Sequence, residues 1–333
     1  MKRFLLLTTL FLSSVILMNA QTGKWTQKGD AALLKGNYAK AVSAYQKGIK
    51  ADEVEAYFSL GNCYQEGYAV TPNMDEAAFY YYKAARQGNM KEAVARLKSL
   101  AEKGIEDAWM LLGHCYQVGA GVTKDLPTAI QYYQQCKTYK FTFLIEALQR
   151  ELAKDAEEEK VSDGDDEVYA FVTEAPEFPG GMDALVTTIA RNTIYPAYCR
   201  DHAIKGTVMI QFVVEKDGKV DNAKVSLSCF PLLDNESLRV VMQLPQWKPG
   251  VLDGKPVRCF YQIPMRFSMY FLQRPHYKPR SAVDVILFGD MTQAVFFPLL
   301  YQQLMILMVG LDHQPSAGFQ CLGGECGECA VAP

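Results

Sequence analysis

The clearest candidates for chemistry in the sequence are the cysteines near its end. Cys326-Gly327-Glu328-Cys329 has the spacing of a redox or zinc half-site, and Cys321 and His313 lie upstream of it. A structural zinc site would show a second pair of ligands with matching spacing. His313 is too isolated to supply that pair, so we favour a disulfide or a disordered cysteine-containing tail. We predict no metal site and no cofactor.

No catalytic motif accompanies these cysteines. The chain lacks a Gly-x-Ser-x-Gly turn, a His-Glu-x-x-His helix and a P-loop. Lys248-Pro249-Gly250 and Gly254-Lys255 do not have the spacing of a phosphate cradle. His114 occupies the position that Asn62 holds in a related segment, which indicates a solvent-facing helix residue rather than a ligand. We therefore expect no catalytic residue and a protein that is not an enzyme.

Length, composition and charge limit the remaining classes. At roughly 150 residues per domain, a chain of 333 residues indicates about two domains. Apolar residues at 49% and charged residues at 21% exclude a disordered polymer and a polytopic membrane protein. Lys and Arg number 34 against 37 Asp and Glu, a net charge of −3. This balance argues against nucleic acid or an anionic membrane surface as the main partner.

Residues 1–20 have the pattern of a secretory signal peptide. Met1-Lys2-Arg3 is basic, residues 4–18 are apolar, and Ala20 offers a small residue before the cleavage point. The alternative is an uncleaved anchor, although a spanning helix needs roughly 20 apolar residues. We expect export, which would allow disulfides to persist. Of the nine cysteines, the six before the tail are scattered, which favours small buried apolar side chains.

Residues 24–150 contain an internal repeat. Leu60–Gly67 recurs as Leu112–Gly119. In the halves that follow, we expect Ala78, Tyr81, Tyr82 and Ala85 to correspond to Ala129, Tyr132, Tyr133 and Cys136. An earlier unit begins near Gly29, and a further helix is predicted over 91–103. Because each helical hairpin buries its apolar face only against a neighbour, the pattern predicts a stacked helical solenoid.

An acidic stretch over residues 151–167 separates this array from the rest. It holds nine acids and two lysines and lacks apolar anchors. The carboxylates are not at the offsets of a calcium loop. Like charges repel, so we predict a solvated linker whose C-terminal part is flexible.

Residues 168–270 change to an alternating pattern that predicts a small antiparallel sheet. A strand over Gly206–Val214 leads to Asp217-Gly218, a signal for a two-residue hairpin turn, and to a second strand that ends near 228. A helix over 232–244 stops at Pro245, and a third strand runs over 256–270, interrupted by Pro264. With an earlier helix over 182–191, this gives three antiparallel strands and two helices on one face.

The last predicted strand should form a free edge of this sheet. Proline removes a donor from the hydrogen-bond ladder and is tolerated mainly at sheet edges, which agrees with Pro264 in this strand. An open edge is a template for a strand of another chain.

The tail, residues 271–333, contains an uncharged segment over 291–311 that is about 31 Å long as a helix. That length could span a membrane, but Pro298, Gln302 and Gln303 weaken the segment. Its basic flank would also lie outside if the preceding domain is exported. We favour a packed or loosely docked helix over a membrane span, and an ill-defined tail is the third alternative.

Both regions resemble known families. The units over 24–150 are similar to tetratricopeptide repeats, and the two close copies resemble the Sel-one-like subclass, which implies a protein-docking solenoid without chemistry. Residues 168–270 resemble the TonB C-terminal domain family in its Bacteroidetes-type version. The matching motifs are Glu177-Phe178-Pro179-Gly180-Gly181, Tyr195-Pro196, Ile204-Lys205-Gly206, Asp217-Gly218, Leu233-Asp234, Pro245-Gln246-Trp247-Lys248-Pro249-Gly250 and Gly254-Lys255-Pro256-Val257.

The second resemblance implies a site. In that family the domain lies in the periplasm and captures an extended segment of an outer-membrane receptor on its last strand. The partner-binding edge carried over to this sequence is Val257, Arg258, Cys259, Phe260, Tyr261, Gln262 and Ile263. The motif residues expected to be structural are Tyr195, Pro196, Gly206, Asp217, Gly218, Trp247 and Pro249.

The sequence departs from a complete energy transducer. Such a protein has an uncleaved N-terminal membrane helix and a proline-rich spacer, whereas here helical repeats take the place of the spacer. We therefore expect an exported periplasmic TonB-family binding protein linked to transport across the outer membrane, with a second protein on the repeats. The alternative is a transducer anchored through 4–18 or 291–311 that couples proton-motive force to TonB-dependent receptors.

Overall fold

The computed structural model describes residues 23–157 and 167–268. The predicted signal peptide, the greater part of the acidic linker, the apolar segment 291–311 and the cysteine-containing tail with His313 lie outside the described residues. Within the two described ranges, no helix is both long enough and apolar enough to cross a membrane.

Residues 23–157 fold into stacked antiparallel helices, as the repeats predict. The helices are α1 (Lys24–Leu34), α2 (Tyr38–Lys50), α3 (Val54–Glu66), α4 (Met74–Gly88), α5 (Lys91–Glu102), α6 (Glu106–Val118), α7 (Leu126–Gln135) and α8 (Thr142–Glu157). Each helix packs on its neighbour in the chain. Small side chains at the contacts allow this close approach, since a Cβ on Gly61 would lie 2.8 Å from the Tyr81 ring.

In the second halves of the two close repeats, the equivalent residues are not the ones that we predicted. Tyr133 covers Gly113 as Tyr81 covers Gly61, and a Cβ on Gly113 would lie 2.7 Å from the Tyr133 ring. Tyr80 and Tyr132 instead stack on the tyrosines of the preceding helices, Tyr64 and Tyr116. The predicted correspondence was therefore wrong by one residue. The side chains of Asn73 and Asp125, which cap the N-termini of α4 and α7, set the common starting point.

The last helix also extends further than predicted. Residues 151–157, assigned to the acidic linker, belong to α8. Glu, Ala, Leu and Lys are good helix formers whatever their charge. The ion pair between Lys124 and Glu151, 3.1 Å long, adds a link to the rest of the array.

Residues 167–268 contain the predicted three-stranded antiparallel sheet with helices. After α9 (Gly181–Asn192) and a short helix α10 (Ala197–Asp201) come β1 (Gly206–Val214), β2 (Val220–Leu227), α11 (Pro231–Met242), β3 (Gly250–Leu252), β4 (Lys255–Val257) and β5 (Cys259–Phe267). The strand order is β2-β1-β5, and β3 and β4 form a separate hairpin. This confirms the predicted fold class, whereas α10 and the β3–β4 hairpin were not predicted.

Two details of the predicted strands were wrong. The segment taken as one strand from 256 is divided into β4 and β5, and β5 runs through Pro264 without interruption. The β1–β2 turn is a three-residue loop rather than a two-residue one, because Gly218 N–H donates to Glu215 and Glu215 N–H donates to Lys219. Gly218 is the last residue of this loop, and its φ of +83° lies in the left-handed region that glycine adopts readily.

Gly218 also contacts the backbone of a loop that is distant in sequence, at Trp247. Trp247 N–H donates to the Gly218 carbonyl at 2.8 Å, and a Cβ on Gly218 would lie 1.9 Å from the carbonyl oxygen of Trp247. Gly254, in the β3–β4 turn, has a similar φ of +77° but open space around its Cα. The two glycines therefore share the same backbone constraint and differ in crowding.

The two glycines separate the cost of the clash from the cost of the backbone conformation. Gly218→Ala should lower the free energy of unfolding by at least about 2 kcal/mol more than Gly254→Ala, because both variants strain a left-handed residue but only the first adds a clash. Urea denaturation followed by circular dichroism measures the difference. Equal losses in the two variants would show that the approach of Trp247 to the turn does not matter.

Candidate docking edge

The candidate site is the outer edge of β5. This strand pairs along its whole length with β1, with Cys259 opposite Val214 and Phe267 opposite Gly206. The odd-numbered residues Cys259, Ile263, Met265 and Phe267 are buried, whereas the even-numbered residues Phe260, Gln262, Pro264 and Arg266 are exposed. Among the described strands, none lies on the other side of β5.

The alternation of the strand decides which main-chain groups this edge presents. Phe260 N–H points away from β1, because it donates to the carbonyl of Tyr169 at 3.1 Å. Main-chain groups of every second residue point to the same side of a strand, so Gln262, Pro264 and Arg266 also face the outer edge. Pro264 has no N–H to present there, which explains why the ladder with β1 continues through it.

The edge is occupied at its start. Tyr169 forms a parallel bridge with Cys259, in which its N–H donates to the Arg258 carbonyl at 2.9 Å and its carbonyl accepts from Phe260. Val257 lies in β4, opposite Gly250. The predicted docking edge, Val257 to Ile263, is thus taken up in its first half. The rest of the edge is open in the described ranges. Its outer main-chain groups, from the Phe260 carbonyl through Gln262, Pro264 and Arg266, have no backbone partner there.

A half-buried ion pair fixes the beginning of this edge. The Arg258 guanidinium donates to both carboxylate oxygens of Glu215, at 2.7 and 2.9 Å. A two-pronged contact of this kind holds both side chains in one geometry. It ties the start of β5 to the end of β1.

The opposite edge of the sheet, formed by β2, is covered by the repeat array. Helix α8 packs on β2 and on α11. Arg150 of α8 donates to the main-chain carbonyl of Ala223 at 3.2 Å and lies 3.8 Å from the Asp221 carboxylate. An arginine that satisfies a carbonyl of the edge strand reduces the hydrogen bonds available to another strand. The outer edge of β5 is therefore the more accessible of the two.

A chain of hydrogen bonds crosses the junction between the array and the sheet. It runs from the Tyr82 hydroxyl to His114 Nδ1 (2.8 Å), from His114 Nε2 to Ser228 Oγ (2.7 Å) and from Ser228 Oγ to Asp234 Oδ2 (2.5 Å). When Asp234 is ionised, Ser228 donates its one hydroxyl proton to it, so the Ser228 oxygen accepts from His114 Nε2–H. His114 Nδ1 then accepts from Tyr82, and every group in the chain has a partner.

The position of His114 corrects the sequence prediction. Its side chain is completely buried rather than solvent-facing. It lies beside the rings of Tyr82 and Phe230, and thus between the repeats and the segment before α11. The equivalent Asn62 bonds the hydroxyl of Tyr81 within the array. The sequence pattern could not reveal that a second domain covers the histidine.

Burial determines the charges in this chain. Loss of solvent lowers the pKa of His114 to about 3, so the imidazole is neutral. Burial also raises the pKa of Asp234 to about 7, although hydrogen bonds from Ser228 and from backbone amides oppose the rise. Burial likewise raises the pKa of Asp107, on α6, to about 6.

The junction also completes a helix of the array. The Asn235 side chain, on α11, accepts from Leu144 N–H and donates to the Lys140 carbonyl, both at 3.1 Å. Leu144 lies in the first turn of α8, where helix amides lack partners within the helix. A residue of the sheet domain therefore caps the last helix of the repeats.

The expected structural motif residues support the sheet rather than the edge itself. Trp247 is buried, and its ring packs on Phe178, Phe212 and Tyr261 at centroid distances of 5.3, 5.7 and 4.9 Å. Asp217 accepts from Lys219 N–H in the β1–β2 turn. Pro249 precedes β3 and is half-buried.

The remaining motif residues lie around the start of β1. The Tyr195 hydroxyl donates to the carbonyl of Ile204, and its ring packs on Phe267. Pro196 is the N-cap residue of α10. A Cβ on Gly206 would lie 2.3 Å from Sγ of Cys229, so these residues hold the segment that leads into β1.

Nothing in the described ranges assembles a metal site. No three His, Cys, Asp or Glu side chains come together there to hold an ion. The six cysteines of these ranges are free thiols, four of them buried and two half-buried.

Stacked helical repeats followed by a three-stranded antiparallel sheet define a two-part protein. Residues 191–269 match the family described as Gram-negative bacterial TonB protein C-terminal, and residues 54–89 and 108–135 match the Sel1 repeat. The chain thus carries a TonB C-terminal domain preceded by Sel1 repeats. The two families are families of non-catalytic binding domains.

No curated protein matches the chain. Among solved structures, a Sel1 repeat protein from Oxalobacter formigenes is similar, at 25% identity over 39% of this chain and 63% of that chain, with a TM-score of 0.19. At the level of the families, a TonB C-terminal domain implies interaction with TonB-dependent outer-membrane receptors in the cell envelope, and Sel1 repeats suggest a protein-binding scaffold.

The raised pKa of Asp234 predicts a pH dependence. Because the folded protein holds this proton up to about pH 7 and the unfolded chain releases it near 3.8, stability should fall as pH rises between these values, by up to about 1.4 kcal/mol per pH unit. Asp107 titrates lower, whereas His114 acts in the opposite sense, because the unfolded chain binds a proton near pH 6.5 that the buried imidazole excludes. The downward slope between pH 6 and 7 therefore comes mainly from Asp234 and is partly offset by His114. Asp234→Asn should flatten that slope in urea unfolding measured at several pH values, and an unchanged slope would contradict the assignment.

The cap provided by Asn235 can be tested against a cap within the array. Asn235→Ala should cost about 1 kcal/mol of stability and speed hydrogen exchange at the Leu144 amide. Asn73→Ala, which removes the local cap of α4, should cost a similar amount without affecting Leu144. Unchanged protection of Leu144 in Asn235→Ala would show that the junction does not hold the first turn of α8.

Proposed function

We propose that this protein is an exported, non-enzymatic periplasmic binding protein that captures an extended segment of an outer-membrane receptor by strand addition. The guest strand pairs with the outer edge of β5, and the repeats form a docking scaffold for a second protein. The observation that carries this proposal is the row of outward main-chain groups at Gln262, Pro264 and Arg266 without a backbone partner in the described residues.

The geometry supports docking at one edge of the sheet, the outer edge of β5. Helix α8 covers the β2 side of the sheet, so a guest that needs main-chain partners finds them along β5. The bidentate contact of Arg258 with Glu215 keeps that strand in place. A rigid edge costs a guest less ordering entropy than one that must form on binding.

The strength of capture follows from the number of hydrogen bonds. Gln262 and Arg266 each offer an N–H and a carbonyl, whereas Pro264 offers only a carbonyl. At a net 0.5–1.5 kcal/mol per bond, these groups supply only a few kcal/mol. Affinity and specificity must then come from side chains beside the edge, among them Phe260, which is 41% exposed. A modest affinity suits a contact that forms and breaks during transport.

Gln262 is the sharpest point at which to test strand addition. Gln262→Pro removes the central outward N–H of the edge and should lower the affinity for a receptor peptide at least about tenfold, because proline both lacks the donor and crowds a partner strand. The peptides should come from the N-terminal regions of TonB-dependent outer-membrane receptors of the same bacterium, and calorimetry measures the affinity.

Gln262→Ala is the matched control. It alters the same side chain and retains the main-chain donor, so its affinity for the peptide should stay close to that of the unmodified protein. Thermal unfolding checks that both variants keep the sheet. Equal binding by the proline and alanine variants would refute strand addition at this edge.

A further inference from the structure

The docking edge already carries a short piece of the chain itself. Tyr169 makes two main-chain hydrogen bonds across Cys259, to Arg258 and from Phe260, in the manner of a parallel strand. A continued parallel strand would next engage the Phe260 carbonyl and Gln262 N–H through residue 171. Those bonds are not made, and Phe171 is 46% exposed. The chain's own segment therefore forms a single β-bridge, at Tyr169, at the start of the edge.

The segment that carries Tyr169 is held by further main-chain hydrogen bonds on its C-terminal side only, as far as the described residues extend. Glu174 exchanges two main-chain hydrogen bonds of 2.9 Å with Val251 of β3, and Glu177 exchanges two with Lys248. Exposed or half-buried residues, 170–173, separate this anchor from Tyr169. Tyr169 could therefore leave Cys259 while the anchor at 174–177 and the β1–β5 ladder stay intact.

We propose that residues 167–171 act as an internal competitor for the start of the docking edge. A guest strand that pairs along all of 258–266 must displace Tyr169, whereas a guest restricted to 262–266 does not. This inference rests on the proposed function, and it makes the length of the guest strand a determinant of affinity. Two backbone hydrogen bonds set a penalty for the longer guest on the order of tenfold in affinity.

The test weakens the internal strand and leaves the docking edge unchanged. Tyr169→Pro removes the N–H that donates to Arg258 and restricts residue 168. Phe171→Pro is the matched control, because it places the same residue in the same segment where the amide has no backbone partner in the described ranges. Both changes are made in the full chain. The probe is a synthetic peptide with the sequence of residues 167–173, measured by fluorescence anisotropy.

We expect the peptide to bind Tyr169→Pro about fivefold to tenfold more tightly than the unmodified protein, and Phe171→Pro no more tightly than the unmodified protein. Hydrogen exchange at the Phe260 amide should accelerate in Tyr169→Pro alone. In the unmodified protein, that amide should exchange through a local opening that is insensitive to low urea. Equal peptide affinities, or protection of Phe260 that is lost only on global unfolding, would overturn the proposal.

These outcomes are separate from those of the proposed function. If receptor peptides fail to bind any variant, capture of a receptor is wrong, while the 167–173 peptide and the Phe260 amide still report on the internal strand. If receptor peptides bind and Tyr169→Pro changes neither measurement, the edge is used for docking and Tyr169 does not compete for it.

Discussion

The buried hydrogen-bond chain from Tyr82 through His114 and Ser228 to Asp234 is the contact on which the arrangement of the molecule depends. Each member has a hydrogen-bond partner, and an unpaired polar group at this depth would be costly. Alternative placements of the sheet on the repeats would break the chain. With the Asn235 cap on α8, it fixes which side of the sheet faces the array and which side remains accessible.

The two parts consequently behave as one body rather than as modules on a flexible joint. The described repeats and sheet belong to one compact unit, and α8 passes from the array directly against β2 and α11. A partner on the repeats and a strand on β5 would be held at a set separation. Binding of the first partner then raises the effective concentration of the second only if their own geometry matches that separation.

The parts of the fold that depend on local sequence patterns could be predicted from the sequence. The repeat motif, the β-rich segments and Pro245 after α11 predicted the helical stack and the order of the sheet elements. The predictions that were wrong concern features that depend on contacts between residues distant in sequence. His114 looked like a surface residue because nothing in its own helix shows that Ser228 and Phe230 cover it. The Asp253-Gly254 turn between β3 and β4 had a usable signal that was not recognised.

The site was predictable only in outline. Pro264 correctly indicated an edge strand, since its missing N–H faces outward. The bridge from Tyr169 was not foreseen, although the short run of β-branched and aromatic residues over 168–172 is typical of a strand. Pairing between such a segment and a strand some 90 residues later depends on the whole fold, so the occupied and open parts of β5 could not be told apart from the pattern alone.

Pro264 has a further consequence for the protein in a crowded compartment. An edge strand in which every outward-facing residue carries an amide could join the same strand of a second molecule and start a continuous ladder of the kind found in amyloid. The proline leaves a gap in the middle of that ladder, so identical molecules gain less from stacking on one another. A different chain can still place its own donors opposite the Pro264 carbonyl, and the exposed rim can thus stay available without making the protein prone to aggregation.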